Sequence, residues 1–139
     1  MEIKAADVMK LRKMTGAGMM DCKKALQEAE GDFERAKDII REKGKLVVAK
    51  RSDRTATEGV VVTKIVDQKA YILCLACETD FVAANNEFGA SANAILEVAV
   101  AADAADRDAL MGVKNAEGIT VEEMVTEKSG QTGEKVELA

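Results

Sequence analysis

The chain has 139 residues, 47% apolar and 32% charged, a balance that suits one medium or two small folded domains and excludes a disordered chain. It has no histidine, no tryptophan and one tyrosine, which removes the commonest general base near neutral pH, the commonest zinc ligand and the aromatic platforms that stack single-stranded nucleic acid. The net charge of −5 is uneven: residues 1–52 carry 13 Lys and Arg against 9 Asp and Glu, whereas the remainder carries 7 against 16. An acidic second half argues against direct binding of a nucleic-acid backbone, and the basic first half suits an acidic protein face or a solvated helix surface. No run approaches the roughly 18 to 20 apolar residues of a membrane helix. The start, Met1-Glu2-Ile3-Lys4, has no signal-peptide core, so a cytoplasmic protein without a membrane partner is expected.

Residues 4–14 read as a short helix, with Val8, Leu11 and Met14 at helical spacing. Thr15-Gly16-Ala17-Gly18 breaks it, because glycine admits backbone angles that other residues resist. A second helix follows from Met19 to Glu30, with Cys22, Ala25, Leu26 and Ala29 on one side. Gly31 stops it and Asp32 caps a third, which carries Phe33, Ala36, Ile39 and Ile40 and runs to Val47 or beyond. Three short helices with a small-residue turn after the first resemble the ubiquitin-associated three-helix fold. Residues 51–58 are polar and aperiodic, which predicts a linker between one domain at 1–52 and another at 53–139.

The run from Gly59 to Val66 is β-branched, Asp67-Gln68 is a tight turn, and Lys69 to Cys77 is the return strand. On that strand Tyr71, Leu73, Leu75 and Cys77 share one face and Ala70, Ile72, Cys74 and Ala76 the other. Both sets are apolar or small, so the strand is expected to be central, with helices on at least one face. A long helix is expected from Asn86 to Ala102, burying Phe88, Ala92, Ile95 and Ala99, and a short one near 108–111. Thr120-Val121-Glu122-Glu123 is a capping box that opens a helix to about Lys128. Gly130 and Gly133 then frame a turn, and residues 134–138 alternate like a half-buried strand. The predicted fold class is α+β, a three-helix domain followed by a small antiparallel sheet packed with helices.

Between the return strand and the long helix lies Glu78-Thr79-Asp80-Phe81-Val82-Ala83-Ala84-Asn85. Thr79 and Asp80 can both start a helix, because their side-chain oxygens accept from amides of the next turn. Phe81 then stands in a first helical turn at the hand-over from strand to helix. Two readings are open from these residues: a cap followed by a core phenylalanine, or an aromatic and a carboxylate held at a projecting corner.

Other motifs carry less. Cys74 and Cys77 are three apart on a strand and point to opposite faces, so they cannot close on one metal. Only Cys22 remains as a further thiol ligand. Gly16-x-Gly18 with Lys23 and Lys24 has neither the spacing of a phosphate loop nor a preceding strand. Glu78 and Asp80 have no histidine or nucleophile to work with, so no enzymatic site and no cofactor is expected. Met19 and Met20 are adjacent, so one should be exposed, and exposed methionine is overused at binding surfaces.

Two stretches together resemble a known family. Thr79-Asp80-Phe81-Val82-Ala83-x-Asn85, closed by Phe88, and the run from Thr15 to Leu26 are similar to the signatures of translation elongation factor Ts. The resemblance implies a guanine-nucleotide exchange factor acting on elongation factor Tu in its GDP-bound or nucleotide-free state. It implies that Phe81 wedges into the partner's nucleotide domain with Asp80 beside it, near the Mg²⁺ and phosphates, and that Met19, Met20 and Lys23 grip the same domain. Thr79, Val82, Asn85 and Phe88 support the motif. The typical bacterial member has a second core subdomain and a helical hairpin that this sequence lacks. An end in a strand fits a fragment, weakened exchange is expected, and a homodimer is expected if the chain is of the single-subdomain type. The alternative from another class is a ubiquitin-associated-type binding scaffold, which needs no projecting aromatic.

Overall fold

A computed structural model describes residues 2–139. Helix α1 (Ala5–Thr15) ends at Gly16, whose φ of +72° is left-handed and lets its amide reach Arg12 O at 2.7 Å. Helix α2 (Met19–Glu28) and helix α3 (Phe33–Lys50) follow, and the Asp32 carboxylate caps α3 by accepting from the amides of Glu34 and Arg35. The three helices enclose Val8, Leu11, Ala17, Cys22, Ala25, Leu26, Ala29 and Ala36. That core is thin, since only the valine and two leucines each supply the roughly 1.5–3 kcal/mol of a large buried aliphatic. Met14 is exposed instead of buried, because the α1 stripe that meets α2 and α3 is only as wide as Val8 and Leu11.

A turn spans 51–54, and strand β1 (Glu58–Val66) begins after three further residues. It forms a hairpin with β2 (Lys69–Cys77), in register from Glu58 opposite Cys77 to Val66 opposite Lys69. Asp67 and Gln68 have φ of +47° and +69°, the twist that a two-residue hairpin loop needs. After the four-residue helix α4 (Asp80–Ala83) come α5 (Asn86–Ala102), α6 (Arg107–Met111), α7 (Val121–Thr132) and β3 (Glu137–Leu138). Strand β3 lies antiparallel on the free edge of β2, which makes β2 central. The fold is α+β, as the order of elements predicts.

One face of the sheet is covered. Leu73, Leu75 and Cys77 lie in one cluster with Phe88, Ala92, Ile95 and Leu96 of α5 and Val121 and Val125 of α7, closed by Val136 and Leu138. Most of the opposite face is bare, with Val61, Ile65 and Ile72 61%, 78% and 77% exposed, and only its Ala76 end is buried. Among the described residues no helix is long and apolar enough to cross a membrane.

Two expectations at the C-terminal end are corrected. Helix α7 does not turn at Gly130 but runs on to Thr132, with Gly133 as its left-handed cap. The reason is the neighbouring helix α3: a Cβ on Gly130 would stand 2.8 Å from the Gly44 Cα, and one on Gly44 would stand 2.9 Å from the Thr126 carbonyl oxygen. These glycines allow α3 and α7 to touch backbone to backbone. The strand expected over 134–138 is confined to Glu137 and Leu138, because the Glu134 side chain and the Lys135 amide bond to the residues after β2.

Candidate functional site

The corner after β2 is built from a few short bonds. Thr79 caps α4, its hydroxyl accepting from the Val82 amide at 3.4 Å, and Asp80 is the first residue inside the helix. The amides of Ala83 and Ala84 close on the carbonyls of Thr79 and Asp80. The turn is then handed to α5 by Asn85, whose side chain accepts from the Glu87 amide at 2.8 Å. Phe81 is the second residue of α4 and is 84% exposed, the most exposed large apolar side chain among the described residues. Asp80 beside it is exposed as well. Phe88, by contrast, is fully buried at the start of α5. The two phenylalanines of the motif therefore have opposite situations: one anchors the corner in the core and the other stands in solvent.

Beneath the corner two acidic side chains work in opposite directions. Glu134 accepts at one oxygen from the amides of Glu78 and Thr79, both at 3.0 Å, and at the other from the Thr79 hydroxyl at 2.6 Å. Glu78 accepts from the Lys135 amide at 2.7 Å and from the Arg51 guanidinium at 2.9 and 3.1 Å. The Lys135 amide, and next the Arg51 guanidinium, hold the Glu78 carboxyl below the usual carboxylate range. Cys77 lies on the helix-covered face, where burial pushes its thiol up, and Cys74 belongs to the other face of the strand.

A cleft of about 330 Å³ joins the corner to the first half of the chain. Gly16, Ala17 and Gly18 line one side, and Phe81, Val82 and Asn85 line the other. The two stretches singled out in the sequence, some 60 positions apart, thus border one opening. Lys128 lies in the cleft wall, 9% exposed, donating to Gln131 Oε1 at 2.7 Å, and burial pulls its ammonium below the ordinary lysine value. Gln131 in turn donates to the Thr15 carbonyl at 2.7 Å and so ties α7 to the turn after α1.

Met19 and Met20 are both exposed, at 43% and 63%, where only one was expected. Gly18 is the N-cap of α2 and offers its first turn no side-chain bond. Lys23 is exposed one turn further on, while Asp21 is engaged by Lys43. These α2 residues stand on the helix that begins at the cleft but do not line it. A larger groove, about 850 Å³, runs between α3 and α7 among Arg41, Lys45, Glu122 and Glu123, and no motif residue reaches it.

Comparison with known proteins bears on this arrangement. The family model for elongation factor TS matches residues 78–139, beginning at the first residue of the corner. Over 138 residues, 99% of its own length, the chain is 53% identical to the elongation factor Ts of Parabacteroides distasonis. Nearly the whole chain is thus similar to elongation factor Ts, and its last 62 residues match that family's model. It is likewise 51% identical to the elongation factor Ts of Bacteroides thetaiotaomicron and 49% identical to that of Porphyromonas gingivalis, each over 99% of the chain. It spans 42% of the first two relatives and 50% of the third, about half the length of the elongation factor Ts proteins it matches.

Sequence reasoning missed Glu134, Arg51, Lys128 and Gln131. Their partners lie 27 to 116 positions away, beyond any local pattern, with the one exception of Lys128 on Gln131. The stretch after α7 holds only Glu134, Lys135 and Glu137 as charged residues, an ordinary polar pattern that does not mark the place.

Proposed function

We propose that the chain promotes release of GDP from elongation factor Tu in translation elongation. Phe81 enters between helices of the partner's nucleotide domain, Asp80 lies beside the Mg²⁺ and phosphate groups, and Met19, Met20 and Lys23 hold the same domain. The observation that carries this reading is the exposed ring of Phe81 on an anchored backbone. Burying such a ring is worth about 1.5–3 kcal/mol, so a phenylalanine left in solvent at a capped corner gains by entering a partner. The methionines are adaptable apolar contacts and Lys23 suits an acidic group.

The action needs no bond-making. A protein that binds the nucleotide-free partner better than the nucleotide-bound one weakens nucleotide binding by the same factor. In this reading the chain's residues contribute only differential binding.

The test is the rate of release of a fluorescent GDP from elongation factor Tu, with the chain and with Phe81→Ala. The chain is expected to accelerate release, and the substitution to remove at least tenfold of that acceleration. Equal acceleration by both would overturn the wedge. No acceleration by either, with binding retained, would leave the grip of the first half without the exchange.

A further inference from the structure

We propose that Glu134 is a positioning residue for the Asp80–Phe81 corner, with Glu78 and Arg51 tying the same corner to the three-helix bundle. The inference rests on the exchange reading for its functional consequence, but its structural content stands apart from it.

Strand pairing of β2 ends at Cys77 on one side and Ala76 on the other. The amides of Glu78 and Thr79 are therefore beyond the sheet, and both are taken by one oxygen of Glu134. The second oxygen receives the Thr79 hydroxyl. A hydroxyl has one proton to give, so once it is committed to Glu134 its lone pairs face the amide of Val82, which it caps. The carboxylate thus sets the rotamer of the cap, and the cap sets the first turn that carries Phe81. A four-residue helix has too few internal bonds to stand by itself, so its direction comes from what holds its ends.

The hold is reciprocal. Glu134 closes on the backbone of 78 and 79, and Glu78 closes on the backbone of 135. Arg51, at the end of α3, grips the Glu78 carboxylate with its Nη1, and the Lys135 ammonium donates to the carbonyls of Ser52 and Arg54. One latch therefore joins the end of the bundle, the end of β2 and the segment after α7. Glu134 touches neither Asp80 nor Phe81 by a hydrogen bond, and it acts on them through Thr79.

Two measurements test this. In the first, GDP release is followed against chain concentration for Glu134→Ala, Glu134→Gln, Phe81→Ala and the double variant Glu134→Ala/Phe81→Ala. Glu134→Ala is expected to lower the maximal rate about tenfold and to shift the half-saturating concentration less than threefold. Glu134→Gln, which keeps an acceptor for the two amides, is expected to recover part of the loss. In the background of Phe81→Ala, removing Glu134 is expected to change nothing further, because two residues acting as one unit are not additive. Independent, multiplying losses would overturn the proposal. The second measurement is amide hydrogen exchange in the chain alone. Glu134→Ala is expected to cost at least tenfold in protection at Thr79, Val82 and Ala83, with the β1–β2 ladder unchanged. Unaltered protection there would overturn the proposal even if the chain released no GDP, and that last failure would count against the exchange reading only.

Discussion

The corner at Phe81 and the bare face of the sheet both leave large apolar side chains in water, but on different footings. Phe81 is one ring on a turn of four residues, and its surroundings are polar: two carboxylates, a guanidinium and a threonine hydroxyl fix the backbone on which it stands. Val61, Ile65 and Ile72 form a broad patch on strands already fixed by the hairpin ladder and tied to the α5 side by Lys64 on Glu97 and Tyr71 on Asp103. A ring on a post can enter a gap between helices, whereas a flat aliphatic face can only be covered. Exposure is common to both, and what differs is the way the backbone beneath is held.

The largest effect expected from this comparison is functional. Phe81→Ala should lower the proposed acceleration of GDP release at least tenfold, yet its thermal unfolding should stay within about 0.5 kcal/mol of the unsubstituted chain, since the ring makes little contact in the fold. A clear loss of stability would mean that Phe81 packs in solution and that the corner is less like a post than the contrast requires.

Next in size is the seam that carries the bundle to the corner. Gly130→Ala gains about 1 kcal/mol of helix propensity, but its methyl would meet the Gly44 backbone at 2.8 Å. Overpacking costs about 1–3 kcal/mol, so net destabilisation by chemical denaturation is expected. Gly89→Ala in α5, where nothing lies within 4 Å of the added carbon, is the control and should stabilise by about 0.5–1 kcal/mol. A stabilised Gly130→Ala would mean that α3 and α7 can part, and that Arg51 reaches Glu78 from a movable helix.

A smaller effect follows from the latch. The Glu78 carboxyl is held below its ordinary range by the Lys135 amide and by Arg51. A group with a lowered folded value contributes stability that is present above its unfolded pKa, about 4.3, and lost as the pH falls through the lower folded value. Acid titration of the unfolding midpoint from pH 5 to pH 3 should therefore show a slope that Glu78→Gln reduces. An identical slope in both would remove Glu78 from the latch.

Much of this fold can be read from local pattern. Helix α5 falls where its periodicity puts it and strand β2 where an apolar run follows a two-residue turn, because each buries a face in the same core. The corner's Thr79 cap and the turn at Asp67-Gln68 follow from residue chemistry of the same kind. What could not be read depends on distant partners. Gly130 looks like a turn until Gly44, 86 positions earlier, is seen against it. Glu134 looks like the polar half of a strand until the free amides of Glu78 and Thr79 are seen to need an acceptor. The motif residues announce Phe81, but the latch that holds its corner is contributed by segments on either side.

The smallest effect is expected on the sheet face, and it tests whether that face is bare. Ile72 stands opposite Thr63 and is 77% exposed. Ile72→Thr keeps a β-branched residue in the strand and sets threonine opposite threonine, a favourable cross-strand pair. Its stability should change by no more than about 0.5 kcal/mol, and GDP release should not change, because the corner is held by none of these side chains. The same denaturation at several chain concentrations supplies the decisive control. If a second copy covers this face, the midpoint of the unsubstituted chain rises with concentration, as any folded-state ligand demands. Ile72→Thr would then lose both stability and that dependence, and the patch would rank beside the corner as a place where the chain meets a partner.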